Sequence, residues 1–142
     1  MAGTKPTGQT RDAGFQIGVR RTLPIDPADA WRFLTSAAGV RLWLGAGPEL
    51  RFAPGAAYQR DDGARGEVRV FRPGQHLRLT WQPPEWQHPS TIQLRVLASR
   101  TGATVAFHQE WLPGPAEREQ RRAHFAGVLD AIERGVAAEL AE

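Results

Sequence analysis

Hydrophobic and polar positions along this chain follow two different periods, and the changes of period predict its elements. Phe15, Ile17 and Val19 alternate with Gln16, Gly18 and Arg20, the pattern of a strand with one buried face. Pro24-Ile25-Asp26-Pro27 ends that strand and opens a helix. Asp26 is a good N-cap, Pro27 takes the first helical position, and Asp29 suits the positive end of the helix dipole. Ala30, Trp31, Phe33 and Leu34 give this helix an apolar side. Gly39 is expected to break it, leaving Val40, Leu42, Trp43 and Leu44 in a second short helix that ends at Gly45 before the Gly47-Pro48 turn.

From there the period becomes two. Leu50 and Phe52 precede a Pro54-Gly55 turn, and Ala57–Arg60 follows with Tyr58 at its centre. Asp61-Asp62-Gly63 signals a hairpin, because Asp-Gly readily supplies positive φ. Val68 and Val70 alternate with charged neighbours, Pro73-Gly74 turns the chain, and Leu77, Leu79 and Trp81 alternate with Arg78, Thr80 and Gln82. After the rigid Pro83-Pro84-Glu85-Trp86 loop come Ile92, Leu94 and Val96. A Thr101-Gly102 turn leads to a last strand, in which Val105, Phe107 and Trp111 share a face against Thr104, Ala106, His108 and Glu110. Short turns between neighbours imply antiparallel pairing, and the polar half of every strand implies that one side of the sheet meets water.

The chain closes on a helix from Ala116 to Ala141, roughly 40 Å long at 1.5 Å per residue. Phe125, Val128, Leu129, Ile132, Val136 and Leu140 form its buried stripe. A run of about six strands between two short helices and one long one is an α+β arrangement, with the helices on one side of the sheet. A single domain is expected over residues 15–142, preceded by an unordered leader over 1–14.

Composition narrows the function classes. The 142 residues suffice for one domain with a substantial core. No apolar run approaches a membrane span, and Met1–Gly14 has no signal-peptide character. Without cysteine there are no disulfides, thiolate metal sites or cysteine nucleophile, and a reduced, cytoplasmic setting is expected. The pI of about 10.5 reflects arginine chemistry: Lys5 is the lone lysine among 18 basic residues, and net charge is only +3. Acids are dispersed among the arginines, so the footprint of a nucleic-acid binder is missing.

Candidate chemistry is sparse. His108-x-Glu110 resembles half of a zinc deaminase signature whose cysteine half is impossible here. Both side chains fall on the polar face of the last strand, where a cross-strand pairing with Arg95 or Arg78 is the preferred reading. His124 flanks the helix stripe. It suits a ligand contact or a general base, against the preferred role of an edge-of-core histidine bonded to a backbone carbonyl. His76 and His88 sit beside turns, Asp61-Asp62 reads as turn chemistry, and Ser36, Ser90 and Ser99 lack a nucleophile elbow. Gly45-Ala46-Gly47 is no phosphate loop, and Arg118, Arg121 and Arg122 with Glu117 and Glu119 read as a solvated helix face. No catalytic residue, metal or cofactor is assigned.

Aromatic residues are numerous for the size, and they either fill the core or line a concave apolar pocket. On the second reading the walls are Trp43, Tyr58, Trp81, Phe107, Trp111, His124, Phe125 and Val128, from the apolar sheet face and the facing part of the last helix.

In this order, certain stretches resemble the START-like, or helix-grip, superfamily, and within it the bacterial branch similar to the activator of the ninety-kilodalton heat-shock protein's ATPase. The resemblance runs from Phe15 to the C-terminus. It is carried by Ile25-Asp26-Pro27-Ala28-Asp29-Ala30-Trp31, Trp43-Leu44-Gly45, Asp62-Gly63-Ala64-Arg65-Gly66-Glu67-Val68 and Leu77-Arg78-Leu79-Thr80-Trp81. Phe107-His108-Gln109-Glu110 followed by Arg121-Arg122-Ala123-His124-Phe125 is its strongest part. The resemblance implies a curved antiparallel sheet of six to seven strands gripping the long helix over a cavity for lipids, polyketides or other apolar molecules. It brings no shared catalytic motif. Three functions are therefore open: a binding domain for a small apolar or aromatic molecule, monomeric or weakly dimeric; a cyclase- or hydrolase-like enzyme using His124, Tyr58 or an inward acid; and a chaperone-linked interaction module presenting the Pro83–Trp86 loop.

Overall fold

The computed structural model describes residues 9–10 and 14–141, with side chains described from 14 to 137. Its elements are β1 (Gln9–Thr10), β2 (Gly14–Leu23), α1 (Pro27–Thr35), α2 (Ala37–Trp43), β3 (Ala57–Gln59), β4 (Arg65–Arg72), β5 (His76–Trp81), β6 (Ser90–Ser99), β7 (Gly102–Leu112) and α3 (Pro115–Ala141). The strands form one curved antiparallel sheet in the order β1-β2-β7-β6-β5-β4-β3. Strands β4 to β7 are sequential neighbours, while β2 crosses to the far side of β7. The helix-grip architecture implied by the sequence is thus present, with α3 packed on β2, β7 and α2.

The capping chemistry behaves as expected at the first helix, where Asp26 accepts from the Ala28 amide at 2.8 Å. The helix break does not fall at Gly39. Ser36 ends α1, its amide donating to Phe33 O, and its hydroxyl also accepts from the Gly39 amide to cap α2. Gly39 is buried inside α2 because the two helices touch there. A Cβ at Gly39 would lie 1.9 Å from the Phe33 carbonyl oxygen. Leu50 and Phe52 belong to an irregular segment between α2 and β3 rather than to a strand.

Of the leader expected over residues 1–14, Gln9–Thr10 instead pair with Phe15 and Gly14 as β1; residues 1–8 and 11–13 lie outside the described residues. So does the side chain of Leu140, the last position of the helix stripe. The other five, Phe125, Val128, Leu129, Ile132 and Val136, are buried with Ile17, Leu77, Leu79, Ile92, Leu94, Val105 and Phe107 in one core. Two polar ties hold α3 to β2 at its rim. Arg21 reaches Asp130 at 2.6 Å and Glu133 at 3.1 Å, and Arg118 Nε donates to Gln16 O at 3.0 Å.

The period of two fails at two places: on β4, where the register shifts between Val68 and Val70 and Phe71 packs against the core, and at the end of β7. Phe15 pairs with Leu112 and Ile17 with Gln109, so two steps on β2 match three on β7. The extra residue makes a bulge, and Trp111 absorbs it with φ of 64°. From Trp111 onward the alternation is reversed. Leu112 takes the buried side, while the Trp111 ring is 49% exposed and packs against the bare Cα of Gly14.

Candidate functional site

Six of the eight expected wall residues meet inside the grip. Trp43, Tyr58, Trp81, Phe107, Phe125 and Val128 are all buried in the same core. Phe107 stacks on Phe125 with ring centroids 4.6 Å apart, and Trp43 tilts against Phe107 at 6.0 Å. These rings occupy the middle of the space between sheet and helix. Trp43 anchors its own ring through Nε1, which donates to Leu34 O at 2.8 Å. His124 stands edge-on to Phe125, half-buried, and its Nε2 donates to Trp43 O at 3.0 Å. That bond to a backbone carbonyl is the structural role preferred from the sequence. Trp111 is a correction: the β7 bulge turns it outward, where it lines a surface groove of about 800 Å³ with Trp86, Leu112 and Pro113.

Beside the rings runs a buried polar thread that the sequence reading missed. Gln109 follows Val105 and Phe107 on the inward face of β7 and is fully buried. Its Nε2 donates to Ser90 Oγ at 2.8 Å, and Ser90 in turn donates to Trp81 O at 2.8 Å. The Gln109 side-chain carbonyl accepts from Arg121 Nε at 2.8 Å. This Arg121 does not lie on the solvated helix face assigned to it. Its guanidinium carbon sits 3.9 Å from the Trp81 ring centroid and 5.0 Å from that of Phe125. Burial pulls its pKa down to about 10, against the opposing pull of Tyr58 and Asp62. The missed signal was in the numbering, since Arg121 is four residues before Phe125 and continues the stripe N-terminally.

Tyr58 and Arg60 complete this end of the grip. The Tyr58 ring crosses Gly66, where any Cβ would collide with it, to donate its hydroxyl to Thr80 O at 2.5 Å. Burial pushes its phenol well above the ordinary value. Arg60, only 4% exposed, donates to Gly45 O at 3.3 Å and Pro48 O at 2.6 Å, with Gly47 flat against its guanidinium. Arg60 therefore fastens the loop after α2 and also lines a depression of about 600 Å³ between that loop and α2.

The remaining candidates are structural. His108 bonds Gln16 Oε1 at 2.9 Å, not Arg95, and Glu110 lies 3.9 Å from Arg78 with Gln93 donating to it at 3.3 Å. Asp62 Oδ1 accepts from the Ala64 amide in its turn. Among the described residues no group of three or more His, Cys, Asp or Glu is placed to hold a metal, and no helix is long and apolar enough to cross a membrane. What converges inside the grip is the hydrogen-bonded Arg121–Gln109–Ser90 chain set against aromatic faces.

Two histidines, His76 buried and His124 half-buried, give a pH signature. Burial lowers the pKa of His124, helped by the charge of Arg121, and burial likewise lowers that of His76, helped by Arg95. With folded values below the unfolded one near 6.5, the unfolded chain binds more protons, so their contribution is present above about pH 6.5 and is lost as pH falls below it. Urea midpoints should hold between pH 7 and 8 and decline below 6.5, and His124→Gln should flatten part of that decline. An unchanged slope in the variant would remove His124 from the account.

Comparison with known proteins agrees with this architecture. The sequence model of the family described as "Activator of Hsp90 ATPase homolog 1-like protein" matches residues 24–137. Among solved structures, protein MLL2253 from Mesorhizobium loti superposes with a TM-score of 0.71 at 20% identity, covering 87% of this chain and 97% of that one. CalU16 from Micromonospora echinospora gives 0.73 at 16% identity, covering 88% and 78%. The Aha1 dimer from Colwellia psychrerythraea gives 0.69 at 13%, covering 85% and 95%. At these identities the likeness is one of fold. The search of curated proteins finds no match.

Proposed function

We propose, from the premise that this chain belongs to the family of activator of Hsp90 ATPase homolog 1-like proteins, that it binds a small apolar or aromatic molecule inside the grip. The observation that carries the reading is the Arg121–Gln109–Ser90 thread set among Trp81, Phe107 and Phe125. An apolar, ring-lined interior with a few fixed polar groups is the usual make-up of a small-molecule site. The seat is the Trp81–Arg121 end of the grip, because Phe107 and Phe125 already occupy the middle.

A cyclase- or hydrolase-like activity finds less support. It needs an acid and a base that converge, whereas Tyr58 donates to Thr80 O with its phenol held protonated, and His124 Nε2 is engaged by Trp43 O. For a chaperone-linked role, no feature of the site argues beyond the family description.

Binding is tested by thermal shift against a panel of fatty acids and aromatic polyketides, together with mass spectrometry of whatever co-purifies. A ligand at a hundred times its Kd should raise Tm by roughly 8 °C. No shift from any compound and no co-purifying small molecule would remove the proposal.

A further inference from the structure

Two arginines pack against the apolar interior, Arg60 buried and Arg121 partly so, and they are spent differently. Arg60 gives both terminal nitrogens to the carbonyls of Gly45 and Pro48. Among the described residues Arg121 makes one hydrogen bond, from Nε to Gln109, and none from its terminal nitrogens. No described Asp or Glu forms an ion pair with it. Gln109 is itself fixed by Ser90, and the faces of Trp81 and Phe125 hold the guanidinium plane, so the free fork has a set direction. Asp62 and Tyr58 are near enough to act on Arg121 through their fields, but Asp62 Oδ1 is taken by the Ala64 amide and the Tyr58 hydroxyl by Thr80 O.

Arg121 is partly buried, and its unbonded terminal nitrogens stay within reach of solvent, open to an incoming anion. A planar guanidinium with two open N–H edges matches a carboxylate in a bidentate pair, which a point-like ammonium does not.

We infer that Arg121 is the receptor for the carboxylate of a ligand whose body is apolar or aromatic, an inference that rests on the binding role above and adds the ligand's charge to it. The apolar body lies beside the Trp81 ring, and the terminal nitrogens of Arg121 take the two oxygens. Gln109 and Ser90 are positioning residues that keep the fork aimed.

Matched pairs test it by calorimetry at pH 7.5: 2-naphthoate against 2-naphthamide, and decanoate against decanamide. In at least one pair the acid should bind the native chain about ten-fold or more tightly than its amide, and the pair that responds tells whether the body is aromatic or aliphatic. In Arg121→Gln, which still offers a donor to Gln109, the acid-to-amide ratio should fall to about one while amide affinity persists. Equal binding of acid and amide to the native chain, or a preference that survives Arg121→Gln, overturns the inference and leaves the binding role standing. Absence of binding by all four probes overturns the inference, while the binding role stands or falls on the panel and the co-purification test above. Should Arg121→Gln fail to fold, Arg121→Lys keeps a charge without the planar fork. Its ratio should drop below about three, and an undiminished ratio would overturn the assignment.

Discussion

Phe125→Ala is expected to destabilise the protein by about 4 kcal/mol, a Tm loss of roughly 12 °C, the largest effect expected of any single truncation within the grip. Phe125 is fully buried, stacked on Phe107 at 4.6 Å, met edge-on by His124 and capped on its other side by the Arg121 guanidinium at 5.0 Å. Truncation removes the transfer free energy of the ring and also leaves a void that strands and helix cannot close without shifting. It further strips Arg121 of one of its two aromatic faces. Urea denaturation of the variant measures the loss directly. A loss under about 1 kcal/mol would mean that the grip's interior is loosely packed at its centre. The void should also admit a small arene, since apolar cavities of that kind stay dry and bind such molecules. Benzene should raise the variant's Tm and leave that of the native chain unchanged.

Gly39→Ala should cost about 3 kcal/mol, although alanine is the better helix former by about 1 kcal/mol. The added methyl would lie 1.9 Å from Phe33 O, 2.8 Å from Phe33 C and 2.9 Å from Leu34 Cα. All three are backbone atoms of α1, so no side chain can rotate away and the two helices must separate. That separation disturbs Val40 and Trp43 on the buried side of α2, and with them the Trp43 carbonyl that holds His124. Gly127 and Gly135 in α3 provide the control, because a Cβ at either meets nothing within 4 Å. Alanine there should stabilise by about 0.5–1 kcal/mol, through helix propensity alone. Opposite signs at chemically identical substitutions would isolate the α1–α2 contact as the cause. A neutral Gly39→Ala would show that the two helices slip apart freely.

The candidate site was less legible than the fold, and three residues show why. Gln109 continues the inward alternation Val105, Phe107, Gln109, but a polar residue at an inward position reads as an interruption until its partner is known. The partner, Ser90, lies nineteen residues away on the neighbouring strand. Arg121 continues the α3 stripe, but a charge beside Arg118, Arg122 and two glutamates reads as surface. Only the Trp81 ring from β5 shows that this position is covered. Trp111 was misplaced for the reverse reason. Its spacing from Phe107 puts it on the inner face of a regular strand, and the bulge opposite Phe15 and Ile17 turns it out.

The strand alternation, the cap at Asp26 with Pro27, the turn signals and the five buried positions of the α3 stripe were fixed by local chemistry, and they determined the α+β grip with its helix on the sheet. These features depend on side-chain period and on φ preferences within a few residues, which any one stretch carries in itself. Which residues would share the interior depended on something else. Strand register, the closeness of α1 to α2 at Gly39, and the crossing of α3 over the sheet bring residues together across long sequence separations. Arg121 came to lie on Trp81 rather than in water because of that crossing, and no pattern within its own helix records the ring that covers it.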